Sequence, residues 1–322
     1  MSEKEPLIEQ SKPEKVFDPK LIWQFAHPER LHFGKEQEGV NVFEVTPDNP
    51  KSKTPVLFGL GFSNDATTYK PNILALAEAG RRVICPNIPW GVENSIPSPD
   101  SKEYPAPILR HVTAIMEILA KLRNEKGISK VDVVAHSKSA LGMVMAAHLH
   151  PEMFRNIVLV DPAGIIGEDT VPRVLHGATM NQITPAKHLE RRKDLADPRI
   201  SGHKDNFAKH VATVFANVPQ ALREISSISK SDIRQMLEDL RVKGIGISII
   251  HGLDDEIFPM DKAQKALGRR NKDKEQEFVD GFYSVDNVHD EMLSNPLTSS
   301  KLADSALTAL ENRHKREKIS ES

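Results

Sequence analysis

Val131-Asp132-Val133-Val134-Ala135-His136-Ser137-Lys138-Ser139-Ala140-Leu141-Gly142-Met143-Val144 is the stretch that decides how this chain folds. It opens β-branched, tightens through small or polar residues, and continues apolar at helical spacing through Ala146, Ala147 and Leu149. That order predicts strand, sharp turn, helix. A serine at the apex of such a turn is lifted out of the sheet, where its hydroxyl can meet a substrate. The turn drives the strand and helix backbones together, so the residues two before and two after the serine must be small. Ala135 and Ser139 stand there, giving a relaxed form of G-x-S-x-G.

Working outward, the same strand-then-helix order repeats. Val40-Asn41-Val42-Phe43-Glu44-Val45 alternates like a half-solvated strand, and Pro55-Val56-Leu57-Phe58-Gly59-Leu60 is a continuous apolar run typical of a buried one. A short helix over 21–25 precedes them, a helix over 69–79 stops at Gly80, and Arg82-Val83-Ile84-Cys85 makes the next strand. A loop over 86–107 is rich in Pro, Asn, Gly and Ser. Beyond it, Ile108, Val112, Ile115, Ile118, Leu119 and Leu122 predict a helix over 108–126. Downstream, Ile157-Val158-Leu159-Val160 is another buried strand, and there the alternation stops. Residues 165–243 are polar, rich in His and Arg, and read as several helices, the clearest over 231–241. Strands return with Ile245-Gly246-Ile247-Ser248-Ile249-Ile250 and around 277–279, helices with 261–267 and a terminal one over 299–314.

Strands alternating with helices over such a length imply the α/β class, with a mostly parallel, doubly wound sheet covered on both faces. The expected organisation is a flexible tail over 1–18, a core in two parts over 19–164 and 244–314, and a flexible end over 315–322. The helical insertion over 165–243 is expected to cap the C-terminal edge of the sheet.

Composition narrows the classes of function. Of the 322 residues, 39% are hydrophobic and 27% charged, which suits a globular protein with a sizeable core. A net charge of −2 supplies no global field for nucleic acid or an anionic membrane, so neither is an expected partner. No run approaches the roughly 18 apolar residues a spanning helix needs. The charged N-terminal residues have no apolar segment of signal-peptide length behind them. The single cysteine, Cys85, excludes an intrachain disulfide and fits a reducing compartment; a cytoplasmic location is the expectation. Ending a strand, Cys85 reads as core packing rather than a reactive thiol. There is no P-loop, no G-x-G-x-x-G after a strand and no H-E-x-x-H, so no cofactor or metal is expected. The histidines between 148 and 210 are too irregularly spaced for a metal site.

Strand, serine turn, cap-like insertion and two late polar loops together resemble the α/β-hydrolase fold superfamily, over about residues 40–312. Members of that superfamily carry nucleophile, acid and histidine in that chain order. His251-Gly252-Leu253-Asp254-Asp255-Glu256-Ile257-Phe258-Pro259 resembles the acid loop, H-G-x-x-D-x-x-x-P, which gives the acid role to Asp255. Asn287-Val288-His289-Asp290-Glu291 resembles the histidine loop, which gives the base role to His289. Ser137 is then the nucleophile. Asp254, next to Asp255, and Asp161, after the preceding strand, are alternative acids. A serine hydroxyl is a weak nucleophile until an imidazole takes its proton, and a carboxylate fixes that imidazole's tautomer.

By the same resemblance the oxyanion hole is formed by the backbone N–H groups of Phe62 and Lys138. The Lys138 ammonium either turns to solvent or faces the pocket, where it would favour anionic acyl groups or an enolate. His136 should point away from Ser137 as a packing residue. Leu60 stands where the family usually has histidine, and Asn87 where aspartate is common; neither belongs to the triad. The resemblance implies a serine hydrolase that cleaves a carboxylic ester or related acyl bond of a small-molecule substrate. An acyltransferase or a C–C bond hydrolase on the same triad, and a non-catalytic binding protein on the same fold, are the alternatives. Substrate and oligomeric state are not legible.

Overall fold

Asp18 caps the first helix, its carboxylate accepting the Lys20 N–H at 2.8 Å, and Pro19 supplies a preset first turn. The computed structural model describes residues 17–32, 39–88, 96, 101, 104–191, 216–268 and 278–320. In chain order the elements are α1 (Pro19–Ala26), β1 (Glu29–His32), β2 (Gly39–Val45), β3 (Val56–Gly59), α2 (Lys70–Glu78), β4 (Val83–Asn87), α3 (Ala106–Lys126), β5 (Val131–His136) and α4 (Ser139–Leu149). Then follow β6 (Phe154–Val160), α5 (Val171–Arg191), α6 (Val218–Ser229), α7 (Arg234–Val242), β7 (Gly246–Gly252), α8 (Met260–Ala266), β8 (Gly281–Val285), α9 (Glu291–Ser294) and α10 (Pro296–Ser320).

The strands form one eight-stranded sheet in the order β1-β2-β4-β3-β5-β6-β7-β8. The β1–β2 and β2–β4 pairings are antiparallel, and every other pairing in the sheet is parallel. This is the mostly parallel, doubly covered sheet expected from the alternation. Its central strands read as unbroken apolar runs because both faces are covered; β3, β5 and β7 are buried along their whole length. Ile247, Ile249 and Ile250 are fully buried, and each such side chain contributes about 1.5–3 kcal/mol by leaving water.

One apolar cluster joins the sheet to α3, α4 and α7, and another joins it to α1, α2 and α10. Gly127 ends α3 in the left-handed conformation (φ 65°), as a residue without Cβ can. Cys85 is buried in the second cluster, and burial pushes its thiol pKa up, away from reactivity.

Two differences from the expected elements have physical causes. The last strand is Gly281–Val285, four residues later than expected. It is an edge strand with largely half-buried side chains, which weakens the apolar signature; residues 269–277 lie outside the described set. The terminal helix runs to Ser320 instead of ending near 314. Arg313 pairs with Asp280 and His314 Nε2 meets Asn156 Oδ1 at 2.9 Å, so the helix is still held to the sheet just before residue 315, where a flexible end was expected to begin. The insertion over 165–243 does hold helices, α5, α6 and α7, but its residues 192–215, like the tail over 1–16, lie outside the described residues.

Candidate active site

Ser137 sits between β5 and α4 with φ at +52°, a region L-residues with a Cβ seldom adopt. Its N–H donates to Val160 O at 2.9 Å and its carbonyl accepts the Ala163 N–H at 3.2 Å, so the loop after β6 holds the turn open. Why the relaxed elbow fits is legible in the neighbouring strand. A Cβ on Gly59 of β3 would lie 2.6 Å from Ser139 Oγ and 3.2 Å from Ala135 Cβ. The room that glycines at 135 and 139 would supply comes from Gly59 instead. Ser139 turns its hydroxyl inward, donating to His136 O at 2.8 Å, so no polar group is stranded.

The structure brings Ser137, His289 and Asp255 together in one hydrogen-bonded line. Ser137 Oγ lies 2.7 Å from His289 Nε2, and His289 Nδ1 lies 2.9 Å from Asp255 Oδ2. An ionised carboxylate only accepts, so Nδ1 carries the proton and Nε2 is left to accept from the serine hydroxyl. Asp255 Oδ1 accepts two further N–H groups, from Ile257 and Phe258, each at 2.8 Å. All three residues are buried: Ser137 is 7% exposed, Asp255 and His289 3% each. Burial alone would raise the Asp255 pKa, but the adjacent imidazoles and these hydrogen bonds outweigh it and hold the carboxyl below its usual range. For His289, burial pulls down, while the Asp255 charge and hydrogen bond pull up and win.

The alternative acids fall elsewhere. The Asp254 side of the tight turn is exposed, and its N–H donates to Asn287 O at 3.0 Å. Asp161 is buried at the end of β6, in a left-handed conformation (φ 45°), and its Oδ1 accepts the Gly252 N–H at 2.7 Å. His251 lies between it and Asp255, 3.7 Å from each carboxylate, and donates Nε2–H to Phe258 O at 2.7 Å. These three groups offer ligand atoms within 4.8 Å of one another. Asp255 Oδ2 and His251 Nε2 are already engaged by His289 and Phe258, so the cluster works as a buried brace for the acid loop.

Lys138 corrects the expectation that its side chain meets either solvent or substrate. It is 7% exposed and its ammonium pairs with Glu224 of α6, which also accepts from Gln220 Nε2 at 3.3 Å. The charge is neutralised inside the protein, so the argument for anionic acyl groups is lost. The pair instead joins the residue after Ser137 to the insertion. His111 lies near it; burial, with the Lys138 charge adding to it, lowers its pKa to about 3 and keeps it neutral. Phe62 stands in the turn after β3, in a bend closed by Asn64 N–H to Gly61 O at 3.4 Å.

Sequence reasoning missed a second residue from the insertion. Asn181 of α5 is fully buried; its Oδ1 accepts the His289 N–H at 3.0 Å and its Nδ2 donates to Asp290 Oδ2 at 2.8 Å. A lone asparagine in a polar segment gave no signal. His136, read as packing, is in fact hydrogen-bonded through both ring nitrogens, to Tyr69 Oη at 2.5 Å and His289 O at 3.0 Å.

A family model described as the alpha/beta hydrolase fold matches residues 61–218, a stretch that includes the Ser137 turn. The chain has the α/β-hydrolase fold. Among curated proteins it is similar to a "Putative non-heme haloperoxidase" of Mycobacterium phage D29, 25% identical over 277 residues, 83% of this chain and 92% of that protein. Among solved structures it resembles an esterase from Exiguobacterium antarcticum (TM-score 0.58, 13% identity, 88% of this chain and 100% of that one). It also resembles the 2-hydroxy-6-oxo-6-phenylhexa-2,4-dienoate hydrolase of Rhodococcus sp. strain RHA1 (TM-score 0.56, 18% identity, 88% and 99%). At such identities the solved structures establish the fold alone. No helix among the described residues is long and apolar enough to cross a membrane.

Proposed function

We propose that this α/β-hydrolase-fold chain is a serine hydrolase that cleaves a carboxylic ester or related acyl bond through an acyl-enzyme on Ser137. The observation that carries the reading is the unbroken line Ser137 Oγ–His289 Nε2 (2.7 Å) and His289 Nδ1–Asp255 Oδ2 (2.9 Å) in a buried setting. His289 takes the serine proton as the oxygen attacks the acyl carbon, then delivers it to the leaving alcohol. Water, deprotonated by the same imidazole, releases the acid and restores the serine. Asp255 stays ionised, holds the tautomer and stabilises the imidazolium. The backbone N–H groups of Phe62 and Lys138 are the proposed oxyanion donors; a missing donor of this kind costs about 10²–10³-fold in rate. The insertion over 165–243 is the proposed cap and acyl-pocket wall, because α5 and α6 supply Asn181 and Glu224 beside the reacting residues. We read the protein as cytoplasmic on the strength of its one, buried cysteine.

A second reading keeps the serine and changes the acceptor: hydrogen peroxide in place of water takes the acyl group from Ser137, and the peracid released is reduced to the carboxylic acid as it oxidises halide. It is favoured by the name of the phage relative, which spans 83% of this chain. Turnover of p-nitrophenyl acyl esters of increasing chain length, by the natural protein and by Ser137→Ala, tests the first reading. Ester cleavage lost in Ser137→Ala is the expected result. Halide oxidation that needs both the acyl ester and hydrogen peroxide, and is lost in Ser137→Ala, would favour the second.

A further inference from the structure

A buried hydrogen-bond chain behind the reacting residues ties together the three loops on which the proposed mechanism depends. It begins at Gly61, whose N–H donates to the Tyr69 hydroxyl oxygen at 3.1 Å. The hydroxyl lies 2.5 Å from His136 Nδ1, and His136 Nε2 lies 3.0 Å from the backbone carbonyl of His289. Every proton in the chain can be placed. A carbonyl only accepts, so His136 Nε2 carries the hydrogen; in the neutral ring Nδ1 then accepts, so Tyr69 donates to it. The Tyr69 oxygen is left to accept from Gly61. His136 is the neutral ring this requires: burial, with the His289 imidazole beside it, lowers its pKa to about 4. Burial raises the Tyr69 pKa far enough that its hydroxyl keeps its proton.

Packing leaves this chain no slack. Tyr69 is fully buried and His136 is 2% exposed. The Tyr69 ring meets Phe58 edge-on at 5.6 Å, and the His136 ring lies 5.4 Å from that of His289. A Cβ on Gly61 would fall 2.6 Å from the Tyr69 hydroxyl and 2.8 Å from His136 Nδ1, so glycine is needed there to let the loop backbone reach the chain. The three anchored segments are the turn that carries Phe62, the residue before Ser137, and the backbone of His289 itself.

From this we infer that Tyr69 and His136 are positioning residues, which set the backbone of the Phe62 turn and of His289 relative to Ser137 without touching substrate. The inference rests on the serine-hydrolase reading for its catalytic meaning, but its geometry does not depend on it. Tyr69→Phe removes one oxygen, leaves the ring, and cuts the chain in the middle. His136→Gln sets an amide N–H near the position of Nε2 and loses the acceptor for Tyr69.

The test joins two measurements. The first is the second-order rate of fluorophosphonate labelling of the natural protein, Tyr69→Phe, His136→Gln and the double variant, each with its thermal melt. The expected result is a loss of up to about 10²-fold in each single variant, the scale of a small misplacement of reacting groups. The double variant should be no slower than the worse single one, because both cut the same chain. Labelling of Tyr69→Phe at the natural rate, or single losses that multiply in the double variant, would overturn the inference. The second is two-bond ¹H–¹⁵N correlation of the histidine rings of the natural protein. The Nε2–H tautomer at His136 is required, and an Nδ1–H tautomer would overturn the chain whether or not any variant folds. Failure of the natural protein to label would instead count against the serine-hydrolase reading, with the tautomer still deciding the chain.

Discussion

Replacing Gly252 with alanine tests how tightly the histidine loop is held. Gly252 ends β7 directly under that loop, and a Cβ there would lie 2.6 Å from Asn287 O and 2.9 Å from Val288 O. Both are backbone atoms, so no side chain can swing aside. Ordinary contact begins near 3.4 Å, so the loop must retreat by about 0.8 Å, and His289 is the next residue along. Carried to the imidazole, that shift stretches the 2.7 Å contact with Ser137 Oγ to about 3.5 Å, beyond a useful hydrogen bond. Displacement of about 1 Å costs on the order of 10²-fold in rate, or about 2.7 kcal/mol of barrier. The overpacking itself costs about 1–3 kcal/mol of stability, which a protein of this size can absorb. The assay is the second-order rate of fluorophosphonate labelling, read beside the melting curve. A folded Gly252→Ala protein that labels within about threefold of the natural rate would refute the reasoning, since the loop would then have moved without moving the base.

Three further outcomes follow from the charges. His289 must be neutral to accept the serine proton, so labelling should fall as pH falls through its pKa, with the inflection above the ordinary value of 6.5 because Asp255 raises it. In Asp255→Asn the influence of the carboxylate is gone and burial remains, so the inflection should drop and the plateau rate fall about 10⁴-fold; an inflection that stays or rises would contradict this. Glu224→Gln removes the carboxylate that pairs with the buried Lys138 ammonium and should cost about 3–5 kcal/mol in urea denaturation, as should Lys138→Met for the opposite reason. The double variant Lys138→Met/Glu224→Met should return close to the natural stability. Additive losses would show that the two side chains do not act as a pair.

Much of this site could be read in the sequence because its chemistry sits on loops that follow apolar runs. Ser137 announces itself by the change from β-branched to small residues, and Asp255 and His289 by their order after two late strands. The relaxed elbow was harder. Its compensating glycine, Gly59, is 78 positions before Ser137 and on another strand, so only the packing reveals that the two belong together. Tyr69, Asn181 and Glu224 were invisible for a related reason. Each is a single polar residue in a helix or next to one, with no repeat and no motif, and its partner is more than sixty residues away in sequence. The Lys138 side chain was misjudged because a lysine after a turn is ordinarily solvated, and nothing local foretells a buried partner on α6. The strand Gly281–Val285 was misplaced because an edge strand half open to water lacks the unbroken apolar run of its neighbours.

Intact-mass analysis after incubation with a fluorophosphonate tests the central claim most directly, on the natural protein, Ser137→Ala and His289→Ala. The expected result is a single adduct on the natural protein, absent from Ser137→Ala and formed far more slowly in His289→Ala. An unmodified, well-folded natural protein would contradict an activated serine at position 137, and with it the hydrolase reading of this fold.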